Sequence, residues 1–223
     1  MKLLLVPVFI SVVLAQVADK ANSGYKTPEG REQVARTLIA PDRDARQKPE
    51  ELVQAMSIKP GMVVADVGTG AGYMLPFLSR AVGANGRVLA EDIQDDFLAK
   101  ARSKAESEKL GNVTYIKGSE TDPMLPKGGV DVALALDSYH HYDYPEKMLA
   151  GLRRGLKPGG RLVIVEYYKS ATAMPNGRAL EHIRLDAPDV IKEIEANGFR
   201  LVSQREHIKD SQYMLTFRTV PSQ

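Results

Sequence analysis

A chain of 223 residues is long enough for one α/β domain with a sizeable core. Its 30 Lys and Arg nearly balance 28 Asp and Glu, which gives no pull toward nucleic acid or an anionic membrane. Zero cysteines exclude disulfides, thiolate nucleophiles, cysteine–zinc sites and lipid attachment through cysteine.

In chain order, Lys2 precedes an apolar run from Leu3 to Val13, followed by Leu14-Ala15-Gln16-Val17-Ala18. A basic start, a short apolar core and small residues at Val13 and Ala15 describe an export signal cut after Ala15, with Ala18 as a second site. The run is short for a membrane span. Residues 1–18 are therefore set apart from the fold, the alternative being an apolar helix packed on the domain. Export is expected, with no stable membrane insertion after processing. Residues 19–48 are polar, with Pro28, Gly30, Pro41, Arg36, Arg43 and Arg46. They form either a loose leader or a flap over a site, with a short helix over Glu32 to Leu38.

The main domain spans 49–223. Pro49 suits the first position of a helix, Glu50 and Glu51 suit its positive end, and Lys59-Pro60-Gly61 closes it. Val63 to Val67 is a β-branched strand. It ends in Gly68-Thr69-Gly70-Ala71-Gly72, and Tyr73 to Val82 reads as the next helix. Such a loop lets backbone approach a ligand closely while the helix start aims free N–H groups at it. The spacing matches neither the dinucleotide fingerprint, since Tyr73 stands where the third glycine belongs, nor a P-loop, since no Lys follows. A glycine turn that merely tightens the strand–helix junction is the plain alternative.

The alternation continues. Arg87 to Ala90 is a strand ending at Glu91-Asp92-Ile93, and Asp95 or Asp96 starts a helix with Phe97, Ala101 and Ala105 on one face. Val113 to Ile116 is a strand leading into Gly118-Ser119-Glu120. Val130 to Leu136 is a strand ending at Asp137-Ser138-Tyr139-His140-His141. A helix carrying Met148, Leu149, Leu152 and Leu156 is broken by Lys157-Pro158-Gly159-Gly160. Leu162 to Val165 is a strand ending at Glu166-Tyr167-Tyr168. After a long loop, Asp186 or Asp189 caps a helix stopped by Gly198, and Arg200 to Arg205 and Tyr213 to Arg218 pair antiparallel. Strands alternating with helices predict a doubly wound, mostly parallel sheet, with ligands outside the carboxyl ends of its strands. Glu91, 19 residues past Gly72, is placed to accept from both hydroxyls of a ribose.

The run D-V-G-T-G-A-G, the spacing to Glu91, the segment LAGLRRGLKPGGRLVIV from Leu149 to Val165 and the run Y-H-H-Y together resemble the class I S-adenosylmethionine (SAM) dependent methyltransferases. The likeness covers roughly residues 50–218. It is nearest to the small-molecule type 11/25 group and less close to the quinone C-methyltransferases. The resemblance implies a Rossmann-like seven-stranded sheet with an antiparallel C-terminal hairpin strand, and SAM as methyl donor to a small-molecule acceptor. It assigns Asp66 to ordering the glycine loop and the methionine end of SAM. Gly68, Thr69, Gly70 and Gly72 form the loop, and Glu91, Asp92 and Ile93 hold ribose and adenine. Ser119 or Glu120 contacts the adenine amino group, although the family often has Asp where Ser119 stands. Asp137 completes the cofactor side.

Methyl transfer needs a base only if the acceptor must lose a proton. His140 and His141 titrate near neutrality and are the candidates, the first favoured, unless both are structural. Tyr73, Tyr139 and Tyr167 are expected to wall the acceptor, and the Lys169 to Leu185 loop, with His182 and Arg184, to cover it. His207 reads as a surface residue of the terminal hairpin loop. Asp137, Glu166 and His140 suggest an oxygen/nitrogen metal site. The magnesium-dependent catechol-type enzymes, however, end the fifth strand in Asp-Asn, where this chain has Glu166-Tyr167, so no required metal is expected. A nicotinamide oxidoreductase and a SAM-binding module without catalysis are the rival functions. The acceptor and the oligomeric state are not written in the chain.

Overall fold

The computed structural model describes residues 17–220. The expected export signal therefore lies outside the described residues except for Val17 and Ala18. Ala18 is buried, and its N–H donates to Asp143 Oδ1 at 3.0 Å.

Seven strands form one sheet in the order β3-β2-β1-β4-β5-β7-β6. They are β1 (Val63–Val67), β2 (Arg87–Asp92), β3 (Val113–Lys117), β4 (Val130–Leu136), β5 (Leu156–Tyr167), β6 (Phe199–Ile208) and β7 (Gln212–Thr219). The first five run parallel, and β7 lies antiparallel to both β5 and β6. The doubly wound sheet with its antiparallel hairpin is as the sequence implied. Alternation along each strand splits the core in two. Ala65, Val67, Ala133 and Ala135 face one layer with Leu149, Leu152, Val190 and Ile194. Val64, Val88, Val132 and Leu134 face the other with Leu52, Leu75 and Leu78.

Three boundaries differ from the sequence expectation, each for a local reason. The helix after the glycine loop, α5 (Leu75–Val82), starts beyond Tyr73 because 69–74 is spent on turns. The Lys157-Pro158-Gly159-Gly160 stretch does not separate helix from strand. The strand β5 already begins at Leu156 and pairs with Val130, and the ladder then jumps to Val132↔Arg161. The turn is thus an excursion within one strand. At the C-terminus β6 extends to Ile208, so His207 is not in a loop. It is buried, and its Nε2 donates to the carbonyl of Gln47 at 2.9 Å.

Residues 19–47 form α1 (Asp19–Asn22), a 3₁₀ turn (Ser23–Tyr25), α2 (Pro28–Leu38) and α3 (Arg43–Gln47), leading to α4 (Pro49–Ala55). The second helix begins four residues before Glu32. Thr27 caps it by accepting from the N–H of Gly30, and Pro28 occupies its first turn. This segment is pinned to α6 (Asp95–Ser107) by Arg31–Asp96 at 2.6 Å and Lys100–Glu32 at 2.8 Å. The remaining helices are α7 (Pro145–Gly155), α8 (Ala179–His182) and α9 (Ala187–Ala196), the last capped by Asp186.

Candidate active site

A cavity of about 400 Å³ lies at the carboxyl ends of β1, β2 and β4, where a doubly wound sheet binds its ligand. Gly68, Thr69, Gly70, Glu91, Asp92, Ile93, Ser119, Glu120 and Asp137 all line it, as the sequence expected. Its roof is the segment the sequence left undecided: Asn22, Tyr25, Lys26, Arg31, Leu38 and Arg43 face the same space.

The floor is a network of buried acids. The chain enters the loop at Gly68 with φ +76°, and a Cβ there would fall 2.7 Å from that of Ser138. Only glycine lets the two strand ends approach so closely. The N–H of Gly68 donates to Glu91 Oε2 at 3.2 Å, and that of Gly70 to Asp92 Oδ2 at 2.9 Å. Asp66 does not line the cavity. It sits beneath the loop and accepts from the Thr69 hydroxyl at 2.7 Å, which fixes the turn. Burial pushes the Asp66 and Asp92 carboxyls up to about 6 and Glu91 well above the carboxylate range, Asp92 adding to the last. Gly72 also stays outside the cavity and packs on Ala101 of α6.

Glu91 is the most informative of these side chains. It is 1% exposed, and among the described residues its Oε1 has no hydrogen-bond partner. Gly118 lies directly against that oxygen, where a Cβ would come within 1.8 Å. A buried acceptor with nothing to accept from, beside a cavity, fits a ligand carrying hydroxyl donors. Ile93 (37% exposed) and Phe97 supply apolar surface next to it. The residues present therefore fit an adenosine group.

Asp137 adopts a left-handed backbone, φ +50°. Its Oδ1 accepts from Gln212 Nε2 at 2.7 Å and its Oδ2 from Gln47 Nε2 at 3.2 Å. Burial, then the nearby Glu166, raises its carboxyl to about 7. Glu166 and Asp137 thus do not converge on one oxygen site with His140. Glu166 instead holds His140, whose Nδ1 lies 2.7 and 2.9 Å from the two carboxylate oxygens, both residues being buried.

Among the residues expected on the acceptor side, His141 lines the cavity. His140, favoured from sequence, stands behind it with Nε2 at 3.2 Å from Nε2 of His182. Asn22 uses both amide hydrogens on the carbonyl of His141 and on Asp143 Oδ2, so its Oδ1 accepts from His141 Nδ1 at 2.9 Å. The Tyr25 hydroxyl lies 3.3 Å from His141 Nε2. Burial first, then His140, lowers His141 well below the usual imidazole value and brings His182 to about 4.

All five expected acceptor contacts, Tyr73, Tyr139, Tyr167, His182 and Arg184, are absent from the lining, His182 standing behind it against His140. Tyr139 is buried in the core, its hydroxyl donating to Glu193 Oε1, and Arg184 pairs with the same carboxylate. The 3₁₀ turn Tyr139–His141 buries Tyr139 and His140 and leaves His141 on the cavity wall. Tyr73 is buried beneath the guanidinium of Arg43, 3.9 Å from its ring centre. Tyr167 packs against the small cluster of Ala173, Ala179 and Ile183. The sequence reading missed the roof residues Asn22, Tyr25 and Arg43 and the supports Gln47 and Gln212. Thr27 followed by Pro28, a capping residue before a first-turn proline, is a local signal in the sequence for an ordered roof helix.

Comparison with known proteins agrees with this geometry. Residues 64–160 match the family model described as a methyltransferase domain. A solved SAM-dependent methyltransferase from Aquifex aeolicus is 30% identical, with a TM-score of 0.77, covering 84% of this chain and 98% of its own. The ubiquinone/menaquinone biosynthesis C-methyltransferases of Idiomarina loihiensis and Psychromonas ingrahamii are 31% and 33% identical over 56% and 52% of this chain. The match covers 50% and 46% of those proteins, so the chain spans about half the length of the curated relatives it matches.

Proposed function

The chain belongs to the SAM-dependent methyltransferase family, and on that premise we propose that it transfers the methyl group of SAM to a small-molecule acceptor by in-line displacement. The observation that carries the reading is the buried, unpartnered Oε1 of Glu91 beside Gly118 at the edge of the cavity. Glu91 accepts from the ribose hydroxyls. Ile93 and Phe97 cover the adenine, and Ser119 or Glu120 reaches its amino group. Asp66 acts through Thr69 to hold the loop, and Asp137, clamped by Gln47 and Gln212, takes the methionine end. When bound, SAM supplies an electrophilic methyl on a sulfonium, a good leaving group.

The protein's remaining task is to align the acceptor and keep water away, which can supply much of the rate. The roof from Asn22 to Arg43 does both by closing the cavity above the cofactor side. His141 stands at the acceptor end with His140 and His182 behind it, and turnover depends on this group. Binding of SAM and S-adenosylhomocysteine by calorimetry tests the cofactor assignment. Incubation with cell extract and isotopically labelled SAM, read by mass spectrometry, identifies the acceptor. Binding of NAD or NADP in place of SAM would overturn the reading.

Residues 1–18 have the pattern of an export signal, and among the described residues no helix is long and apolar enough to cross a membrane. Export is part of the proposal. N-terminal sequencing from the native host should find a chain starting at Gln16 or Asp19. An intact Met1-Lys2 terminus in a cytosolic fraction would refute it.

A further inference from the structure

The grouping of His140, His141 and His182 goes beyond what methyl transfer needs. One ring nitrogen from each of the three residues lies within 4.8 Å of the others. The chain has four histidines in all and no cysteine, so three of its four imidazoles meet at one point.

The surroundings orient the rings. Glu166 accepts the Nδ1 proton of His140, which leaves the lone pair of that ring on Nε2. Asn22 Oδ1 accepts the Nδ1 proton of His141, which leaves that lone pair on Nε2 as well, where the Tyr25 hydroxyl at 3.3 Å has to give way to an ion. The carboxylate behind His140 and the amide behind His141 are the kind of outer partners that fix metal-ligating histidines. His140 Nε2 and His182 Nε2 are 3.2 Å apart. Two nitrogens about 2.0–2.1 Å from one tetrahedral ion are separated by about 3.3 Å. A proton shared between His140 and His182 would explain that one distance. It leaves out His141, whose ring meets the other two in the same small space.

We propose that His140, His141 and His182 form a three-imidazole site for one divalent transition-metal ion. With no carboxylate among the ligands, the site selects zinc, cobalt, nickel or copper over magnesium and calcium. Three protein ligands leave a further coordination position. His141 lines the cavity, so that position is open to an oxygen or sulfur atom of the acceptor, a clause that rests on the methyl-transfer reading. As ligands, the imidazoles give up the lone pairs a general base would need, and this role replaces proton abstraction by His140 or His141.

The test uses the full chain, stripped with a chelator and titrated with Co(II). One ion per chain should bind, with the intense visible absorption of four-coordinate cobalt, and Zn(II) should displace it. Removing a ligand in His182→Ala should weaken binding more than roughly 100-fold, and Glu166→Gln about 10- to 100-fold. His207→Ala, at the fourth histidine, should leave it unchanged. Calorimetry with S-adenosylhomocysteine on the same samples separates the two readings. A wild-type chain that binds S-adenosylhomocysteine but takes up no Co(II) or Zn(II) at stoichiometric levels overturns the metal site alone. One that binds metal but not S-adenosylhomocysteine leaves the site standing and sinks the cofactor reading. Equal cobalt affinity in wild type and a folded His182→Ala also overturns the site.

Discussion

Replacing Glu91 with Gln should weaken SAM binding without weakening the fold. The carboxylate is buried, receives one N–H from Gly68 and presents Oε1 with no partner. Burial, then Asp92, makes its charged form unfavourable in the free protein. Gln keeps the shape and one acceptor for Gly68, but at the Oε1 position it offers an NH₂ group that cannot accept from a hydroxyl. The lost interaction is a hydrogen bond to a charged group, about 1.5–3 kcal/mol, so Kd for SAM should rise about 10- to 150-fold. The free variant should melt no lower than wild type, because an unfavourable buried carboxylate has been removed. Ligand hydroxyls favour the carboxylate, so binding to wild type should release a proton and strengthen as pH rises. The variant should lose that contribution. Calorimetry in two buffers of different ionisation enthalpy reads affinity and proton release together. An unchanged Kd in folded Glu91→Gln would refute the assignment of Glu91 to the ribose.

Three further outcomes follow from the same geometry. Gly118→Ala places a Cβ 1.8 Å from Glu91 Oε1, so it should displace that carboxylate and weaken SAM about 10-fold or more, unless calorimetry finds wild-type affinity. Burial raises Asp66 from 3.8 to about 6, so its contribution to stability is full below pH 3.8 and is lost as pH rises through 6. Urea unfolding should therefore show Asp66→Asn gaining about 2 kcal/mol on wild type between pH 4 and 7, and parallel curves would contradict this. Because Lys26 and Arg31 line the cavity, S-adenosylhomocysteine should slow tryptic cutting in 26–36, and equal cutting rates with and without it would show that the roof does not close on the ligand.

How far the sequence could be read depended on whether the deciding interaction was local. The strand–glycine loop–helix unit and the acid at Glu91 are local, because β-branched runs, glycine spacing and the distance to the next strand end all lie in one stretch. The same holds for the helix stripes at Phe97, Ala101 and Ala105. Tyr139 was misread because its partner, Glu193, lies 54 residues away, and Arg184 because it pairs with the same carboxylate, nine residues on, away from the cavity. His207 was misread because strand pairing, not its own sequence, carries β6 past it. The Lys169 to Leu185 loop was expected over the acceptor side, but nothing along the chain announces that His182, 42 residues from His140, comes to 3.2 Å from its ring. The roof was half legible: Arg43 is buried against Tyr73, a contact no periodicity encodes.

The way the roof is fastened also bears on when the site comes into being. Ala18 is tied to Asp143 across 125 positions, Gln47 to His207 across 160 and to Gln212 across 165. Contacts so far apart along the chain carry a large loop-closure cost and form after local structure is in place. A chain emerging from the ribosome holds the glycine loop early, yet Asp137 is clamped from both sides only when β7 has been made and docked. Closure of the chamber thus comes late in folding, and a chain shortened by its last strand lacks the Gln212 half of the clamp on Asp137 and the Gln47–Gln212 fastening of the roof.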